Sequence, residues 1–467
     1  MALRIGLIPL ARATFDVPFA RETADRAFAA LEAAGFELVG ARGLLFDAPA
    51  AAAAMRRLSS ERIDLLLLLQ VTFTDAVVTV DLSRAAEVPL AIWAFPEPRV
   101  GGRLRLNSFC GLNLAAHALG RADRKFRWLY SAPDAPDIAA SLRALARGDA
   151  AQVVSVPAVA PLPEDRAAAS EILSGLSGAR IGLIGGHPAG FDTCRYDPAA
   201  MEALAGVGVQ VFPVGALFAR AKTQAAIPGV TDHWREEISA ITGIDALNQD
   251  ELRKSLSIAA ALDEMKDDHS LSAFAVRCWP EIFTEYGCAA CGPMGFLTEA
   301  GIPCACEADV YGAMTLMLLN AVSEESSWLV DIVDMDARSD TGVFWHCGSA
   351  PMSMADPEFA PRAQVHSNRK MALLQEFPLK PGRITIARVS QARNQTKMIL
   401  AGADVLRAPI SFTGTSGVVR FDRKAGAVAA AMMEETLEHH VAICYGEHRP
   451  MLRAVAEAMK IPVVELT

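Results

Sequence analysis

The chain reads as an α/β protein: two Rossmann-like, doubly wound lobes followed by a β-rich, antiparallel C-terminal domain. Three observations predict this. Short apolar strands alternate with helical runs up to about residue 150, and the same alternation restarts near residue 179. Beyond about residue 325, strands follow one another through turn signals, as antiparallel strands do. At 467 residues, two to three domains are expected, and 52% apolar with 21% charged residues describes a packed globular chain.

In the first lobe, strands are predicted over 5–10, 37–39, 63–70, 90–95 and 126–130, with helices over 20–34, 48–58 and 112–119. The block Leu65 to Leu69 follows Asp64 and suits a parallel strand buried on both faces. The segment 153–164 holds three prolines and almost no charge, which predicts a connector. The second lobe is predicted from strands over 179–185, 209–214, 272–277 and 302–307, with helices over 198–205, 248–266 and 311–322. Strands over 329–334, 342–347, 382–389 and 396–401 then open the third domain. A strand (441–445), a helix (451–459) and a strand (462–465) close it. The predicted domains are 1–155, 165–325 and 326–467.

Composition excludes some functions. A net charge of −10 with no basic stripe argues against nucleic acid as partner. No apolar run approaches the ~18–20 residues of a membrane span. Met-Ala-Leu-Arg runs directly into the first strand, leaving no room for a signal peptide, so a cytoplasmic protein is expected. Nine cysteines, an odd number, suggest thiols rather than a disulfide framework.

The chemistry points to the ends of apolar strands. Cys304-Ala-Cys-Glu-Ala-Asp309 places Glu307 where open α/β sheets bind ligands. Asp331 interrupts the apolar Leu329 to Val333, so its burial requires a partner or a metal, whereas Asp334 lies at the strand end within reach of solvent. Asp331 is preferred. His346 lies in Phe344-Trp-His-Cys-Gly348, and His439-His440 lead into a late strand, where alternation lets at most one of them ligate. Each residue alone has a structural alternative: Glu307 as a helix cap, the aspartates as a solvated face, His346 as a satisfied core histidine. Together, Glu307, Asp331 (or Asp334), His346 and His440 form the donor set of a divalent cation, and imidazole shifts the preference toward Mn²⁺ over Mg²⁺.

Other motifs are weaker. The turn Gly185-Gly186-His187-Pro188-Ala189-Gly190 lacks the dinucleotide-binding spacing and better suits backbone approach to a sugar lined by His187 and Phe191-Asp192. Cys288/Cys291 and Cys304/Cys306 invite a structural zinc, but their alanine and glycine surroundings suit buried thiols. Arg277-Cys-Trp-Pro-Glu281 offers a base, the Trp279 indole and an acid, a wall on which a sugar ring can stack.

Several of these patterns occur together in one known family. Pro9-Leu-Ala-Arg-Ala-Thr-Phe-Asp16, Arg277-Cys-Trp-Pro280, Cys306-Glu307-Ala-Asp309, Trp345-His-Cys-Gly348 and His440 leading into Val-Ala-Ile-Cys-Tyr-Gly446 resemble the L-fucose isomerase/L-arabinose isomerase superfamily, most closely its shorter, fucose-isomerase-like branch. The resemblance implies a metal-dependent aldose–ketose isomerase, usually with Mn²⁺ (Mg²⁺ or Co²⁺ as alternatives), working through an enediolate. It implies Glu307 and Asp331 as ligands and acid/base pair, His440 as third ligand, and His346 as a further ligand or its supporting neighbour. It also implies a homo-oligomer, trimer or hexamer, whose sites a neighbouring subunit completes. Arg12, Asp16 and Trp93 in the first lobe thereby become candidate sugar contacts, beside His187, Arg277 and Trp279. A different metal reaction on the same scaffold, a sugar-binding protein without catalysis, and a nucleotide-dependent oxidoreductase are the competing classes.

Overall fold

The computed structural model describes residues 3–149, 156–157 and 159–467. Strands β1 (Arg4–Leu10), β2 (Glu37–Gly40), β3 (Leu65–Gln70), β4 (Leu90–Ala94) and β5 (Arg127–Tyr130) form one parallel sheet in the order β2-β1-β3-β4-β5. Its five consecutive leucines are explained by helices on both faces: Leu66 and Leu68 enter one core, and Leu65, Leu67 and Leu69 the other. Asp16 and Asp47 cap the helices Val17–Ala33 and Ala48–Leu58 by accepting from the N–H groups of Phe19 and Ala50.

The second sheet, β6 (Arg180–Ile184), β7 (Gly208–Phe212), β8 (Ala273–Val276) and β9 (Cys304–Cys306), is also parallel, in the order β7-β6-β8-β9. In both sheets the strand order reverses beside the first strand, and a ligand crevice is expected beyond the carboxyl ends at that point.

The rest of the chain gives β10 (Trp328–Asp336), β11 (Thr341–His346), β12 (Arg362–Val365), β13 (Ala372–Pro378), β14 (Gly382–Ser390), β15 (Lys397–Leu406), β16 (Thr415–Phe421), β17 (His440–Tyr445) and β18 (Val463–Glu465). Six of these pair antiparallel in a closed circuit, β10-β11-β16-β15-β14-β17 and back to β10. β18 is added parallel to β15, and the hairpin β12–β13 joins β16 through two residue pairs. The third domain is thus a six-stranded ring with appendages.

The ring is wedged between the lobes. Val441 and Ile443 of β17 enter a core shared with Phe109, Leu112 and Leu119 of the helix Ser108–Arg121. Ala442 and Cys444 enter another, shared with the helix Val310–Ser323. With both faces covered, β13 is buried at every position and β10 at all but the last. The apolar/polar alternation that announces half-exposed strands is therefore missing. That is why β13 is not among the predicted elements; β12, β16 and the helix Ala425–Glu434 are further elements the sequence reading does not include. The predicted boundary at residue 155 and much of the 153–164 connector lie outside the described residues. No helix among the described residues is long and apolar enough to cross a membrane.

Candidate metal centre and substrate pocket

Directly after β9, Glu307 and Ala308 both adopt the left-handed backbone conformation, φ 58° each. For residues with a Cβ this costs on the order of 1–2 kcal/mol apiece. The bend sends two neighbouring carboxylates in different directions. Glu307 opens toward a pocket, its Oε1 accepting from the Trp279 indole N–H at 2.7 Å. Asp309 turns into the interior and caps the helix Val310–Ser323, accepting from Gly312 N–H at 2.8 Å. The cap is therefore Asp309, and Glu307 is released from that role.

Asp331 of β10 is the cross-strand partner of His440 on β17, so the ladder itself brings these side chains together. His440 Nδ1 stands 2.9 Å from Asp309 Oδ2, so a proton on Nδ1 is donated there and Nε2 is the ring atom turned toward Glu307 and Asp331. Asp309 is gripped in turn by Arg388, at 2.5 and 3.1 Å, and both are buried. Burial would raise the Asp309 carboxyl, but Arg388 and His440 outweigh it and hold it well below the usual carboxylate range. Burial likewise opposes ionisation of Asp331, yet His346, His440 and His439 hold it down to about 2.

Glu307 Oε2 and Asp331 Oδ1 stand 3.0 and 3.2 Å from His440 Nε2. Despite these separations, Asp331 Oδ1 and His440 Nε2 have no aligned hydrogen-bond partner, and neither does the buried His346 Nε2. Ligand atoms about 2.1–2.2 Å from a cation and at right angles would stand about 3.0–3.1 Å apart. The groups close enough to share an ion are Glu307 with His439 and His440, and Asp331 with His346 and His440, carboxylate and imidazole donors that fit a hard or borderline divalent cation. His346 differs from His440. Its Nδ1 accepts from Cys347 N–H at 2.9 Å, so the neutral ring carries its proton on Nε2 and presents a donor to the centre.

Residues 6–155 match the family described as the fucose/sulfoquinovose isomerase N-terminal domain. The chain is 29% identical over 407 residues to a sulfoquinovose isomerase of Alkalicoccus urumqiensis, with 86% of either chain covered. It is 26% identical over 445 residues to that of Priestia megaterium, covering 94% of either chain, and 27% identical over 404 residues to that of a Clostridium species, covering 85%. These similarities support the fucose-isomerase-like superfamily.

The centre opens into a pocket built by all three parts of the fold. Arg12 and Phe73 come from beyond β1 and β3, Trp279 and Glu307 from beyond β8 and β9, and Asp331 and His346 from the ring. Arg12 is thus within the pocket of its own chain, bonded to Asp75. The structure does not bring every predicted contact there. Trp93 is fully buried in the first lobe, its indole donating to Ser131 O at 3.0 Å, so it is corrected to a core residue. Asp16 is occupied as a helix cap and by Arg105 at 2.9 Å. Arg277 pairs with Glu281 at 2.6 Å, and neither it nor His187 is among the residues lining the pocket.

Asp334 is also placed elsewhere. A bulge between Ile332 and Asp334 shifts the β10 register, and Asp334 meets Arg99 at 2.6 Å and Tyr130 Oη at 2.5 Å. The alternation argument lets at most one of His439 and His440 ligate. Because β17 begins only at His440, its neighbour is not bound to the opposite face. The two rings lie 4.5 Å apart, and His439 Nε2 stands 4.0 Å from Asp331. All nine cysteines are free, and the closest contact is not within either predicted zinc pair but between Cys278 and Cys306, Sγ to Sγ 2.9 Å. Arg388, Arg369 and Asn368 were also missed. Of these only Arg388 carried a signal, as a lone charge within the apolar run 384–389.

Proposed function

We propose that the chain is a divalent-metal-dependent aldose–ketose isomerase acting on a modified sugar of the class its relatives are named for, with Mn²⁺ as the metal. The observation that carries this is the approach of Glu307 and Asp331 to His440 Nε2, at 3.0 and 3.2 Å, beside a pocket that both carboxylates line. Those three residues would hold the cation. When bound, it polarises the carbonyl and adjacent hydroxyl of an open-chain sugar.

The chain's own groups then move the proton. Glu307, the more open of the two carboxylates at 14% side-chain exposure against 9% for Asp331, is assigned as the base. It takes the proton from C2, breaking that C–H bond, and its conjugate acid returns a proton to C1. The net change is an internal oxidation and reduction with no external oxidant. Asp331, held ionised, is its partner in the acid/base pair, and the His346 Nε2–H donates to a sugar oxygen. A cytoplasmic homo-oligomer, a trimer or hexamer with sites completed by a neighbouring subunit, belongs to the same proposal. Light scattering of the purified protein tests the assembly.

The reaction itself is tested by proton NMR in D₂O with sulfoquinovose, comparing Mn²⁺-loaded and chelator-treated protein. The expected result is metal-dependent exchange of the C2 proton together with a ketose product. Product formation without exchange would indicate hydride transfer, and equal rates with and without metal would remove the cation from the mechanism.

A further inference from the structure

The pocket is electrically lopsided, and its positive end is not used by the chemistry above. The acids lining it are Glu307 and Asp331, both at the metal centre. Trp279 separates them from two cations. Its indole N–H donates to Glu307, while the guanidinium carbons of Arg12 and Arg369 lie 5.8 and 5.9 Å from its ring centre.

Arg12 is compensated by Asp75, but the Arg369 guanidinium has no carboxylate and no hydrogen-bond acceptor among the described residues. It contacts only the rings of Trp279 and Phe283. A half-buried guanidinium without an acceptor is costly to keep unless a ligand supplies one. Burial and the nearby Arg12 lower its pKa, the behaviour of a cation lacking its counter-ion.

The turn that bears Arg369 offers donors as well. His366 Nδ1 accepts from the N–H groups of Asn368 and Arg369, both at 3.2 Å, so its neutral ring carries the proton on Nε2. Asn368 Oδ1 accepts from Arg103 at 2.7 Å, leaving its amide N–H groups to the pocket. Beyond the indole, the pocket wall therefore presents hydrogen-bond donors with one uncompensated positive charge.

We propose that Arg369, with Arg12 across Trp279 and with His366 and Asn368 of the same turn, forms an oxyanion pole that selects sugars carrying an anionic group at the end remote from the carbonyl. Sulfonate, phosphate and carboxylate share the chemistry this pole recognises. This assignment rests on the isomerase reading of the same pocket.

The test compares wild type with Arg369→Met, which keeps the length and removes the charge, and with Arg369→Lys. The substrates are sulfoquinovose and 6-deoxyglucose, the same sugar without its sulfonate. For Arg369→Met, kcat/KM on the sulfonated sugar should fall about 10- to 150-fold, the value of a hydrogen bond to a charged group, mostly through KM. Turnover of 6-deoxyglucose should stay within about threefold, and Arg369→Lys should fall between the two. Sugars with a 6-phosphate or a 6-carboxylate in place of the sulfonate identify the group the pole prefers by the largest loss. An equal loss on the neutral sugar, or no loss on any anionic one, overturns the proposal. Binding of the sulfonated alditol, which cannot isomerise, is followed by calorimetry with the same variants. Failure of the isomerase reading shows as no wild-type turnover, while the calorimetry still decides whether Arg369 binds the anion.

Discussion

Replacing Asp309 with Asn tests whether the metal centre depends on a carboxylate that lies behind it. Asn preserves the volume and the capping of Gly312 N–H, since Asn caps helices as well as Asp does. It removes the charge that faces Arg388 at 2.5 Å and that accepts from His440 Nδ1–H at 2.9 Å. Substituting the group behind a ligand histidine typically costs about 10- to 100-fold in metal affinity, or roughly 1.4–2.7 kcal/mol. Breaking a buried ion pair from one side costs about 3–5 kcal/mol of stability. Here the loss should fall at the low end, because Glu438 also faces Arg388. Calorimetric titration of chelator-stripped protein with Mn²⁺, alongside urea denaturation, reads both quantities. If the variant loses stability but binds Mn²⁺ within about threefold of wild type, Asp309 supports the fold only, and the reasoning about the His440 tautomer is wrong.

Three further outcomes follow from the same geometry. Glu307→Gln should keep the fold and lower turnover by about 10²–10⁴, the usual contribution of a general acid–base group; a loss under about tenfold would remove Glu307 from the mechanism. Asp331→Asn should abolish tight Mn²⁺ binding. Asp334→Asn should leave Mn²⁺ binding intact and lower the melting temperature by stranding Arg99, so the reverse pattern would exchange their roles. Burial pushes Glu97 up to about 7, against the backbone N–H groups of Asn107, Arg105 and Leu106 that bond it. A carboxyl raised on folding stabilises fully below its unfolded pKa and loses that contribution as pH rises through the folded value. The stability of wild type relative to Glu97→Gln, read by urea denaturation, should therefore fall from about pH 4.5 to 7, by roughly 3 kcal/mol at most. A flat difference across that window would mean Glu97 is ionised throughout.

Much of the fold could be read because the two lobes obey strong local rules. The leucine block of β3 is a signal that tertiary context does not overturn. The ring was harder to see, since covering both faces of β13 erases the alternation that marks a strand. At the candidate centre, Asp331 could be singled out because an acid within an apolar strand requires an explanation. Arg388 satisfies the same criterion and was passed over, although it is Asp309's partner. Trp93 shows the opposite error: an aromatic residue near a strand end suggests a sugar platform, but this one fills the core. Arg369 and Asn368 lie in a turn whose composition is ordinary. Only the pairing of β12 with β13 carries that turn to the mouth of the pocket.

That hairpin pairs with the six-stranded ring over two residue pairs, Phe377 opposite Thr415 and Pro378 opposite Ser416, with Thr415 Oγ1 also donating to Gln375 O. The residues of the candidate metal centre are instead fixed by the ring's own ladder and by the strained turn after β9. The proposed reaction centre and the proposed recognition turn thus stand on different ladders. The 366–369 turn can change length or charge without disturbing the register that pairs Asp331 with His440. A scaffold divided in this way can acquire a new sugar by altering one loop while keeping its proton-transfer chemistry, so relatives with different substrates should diverge first at this hairpin.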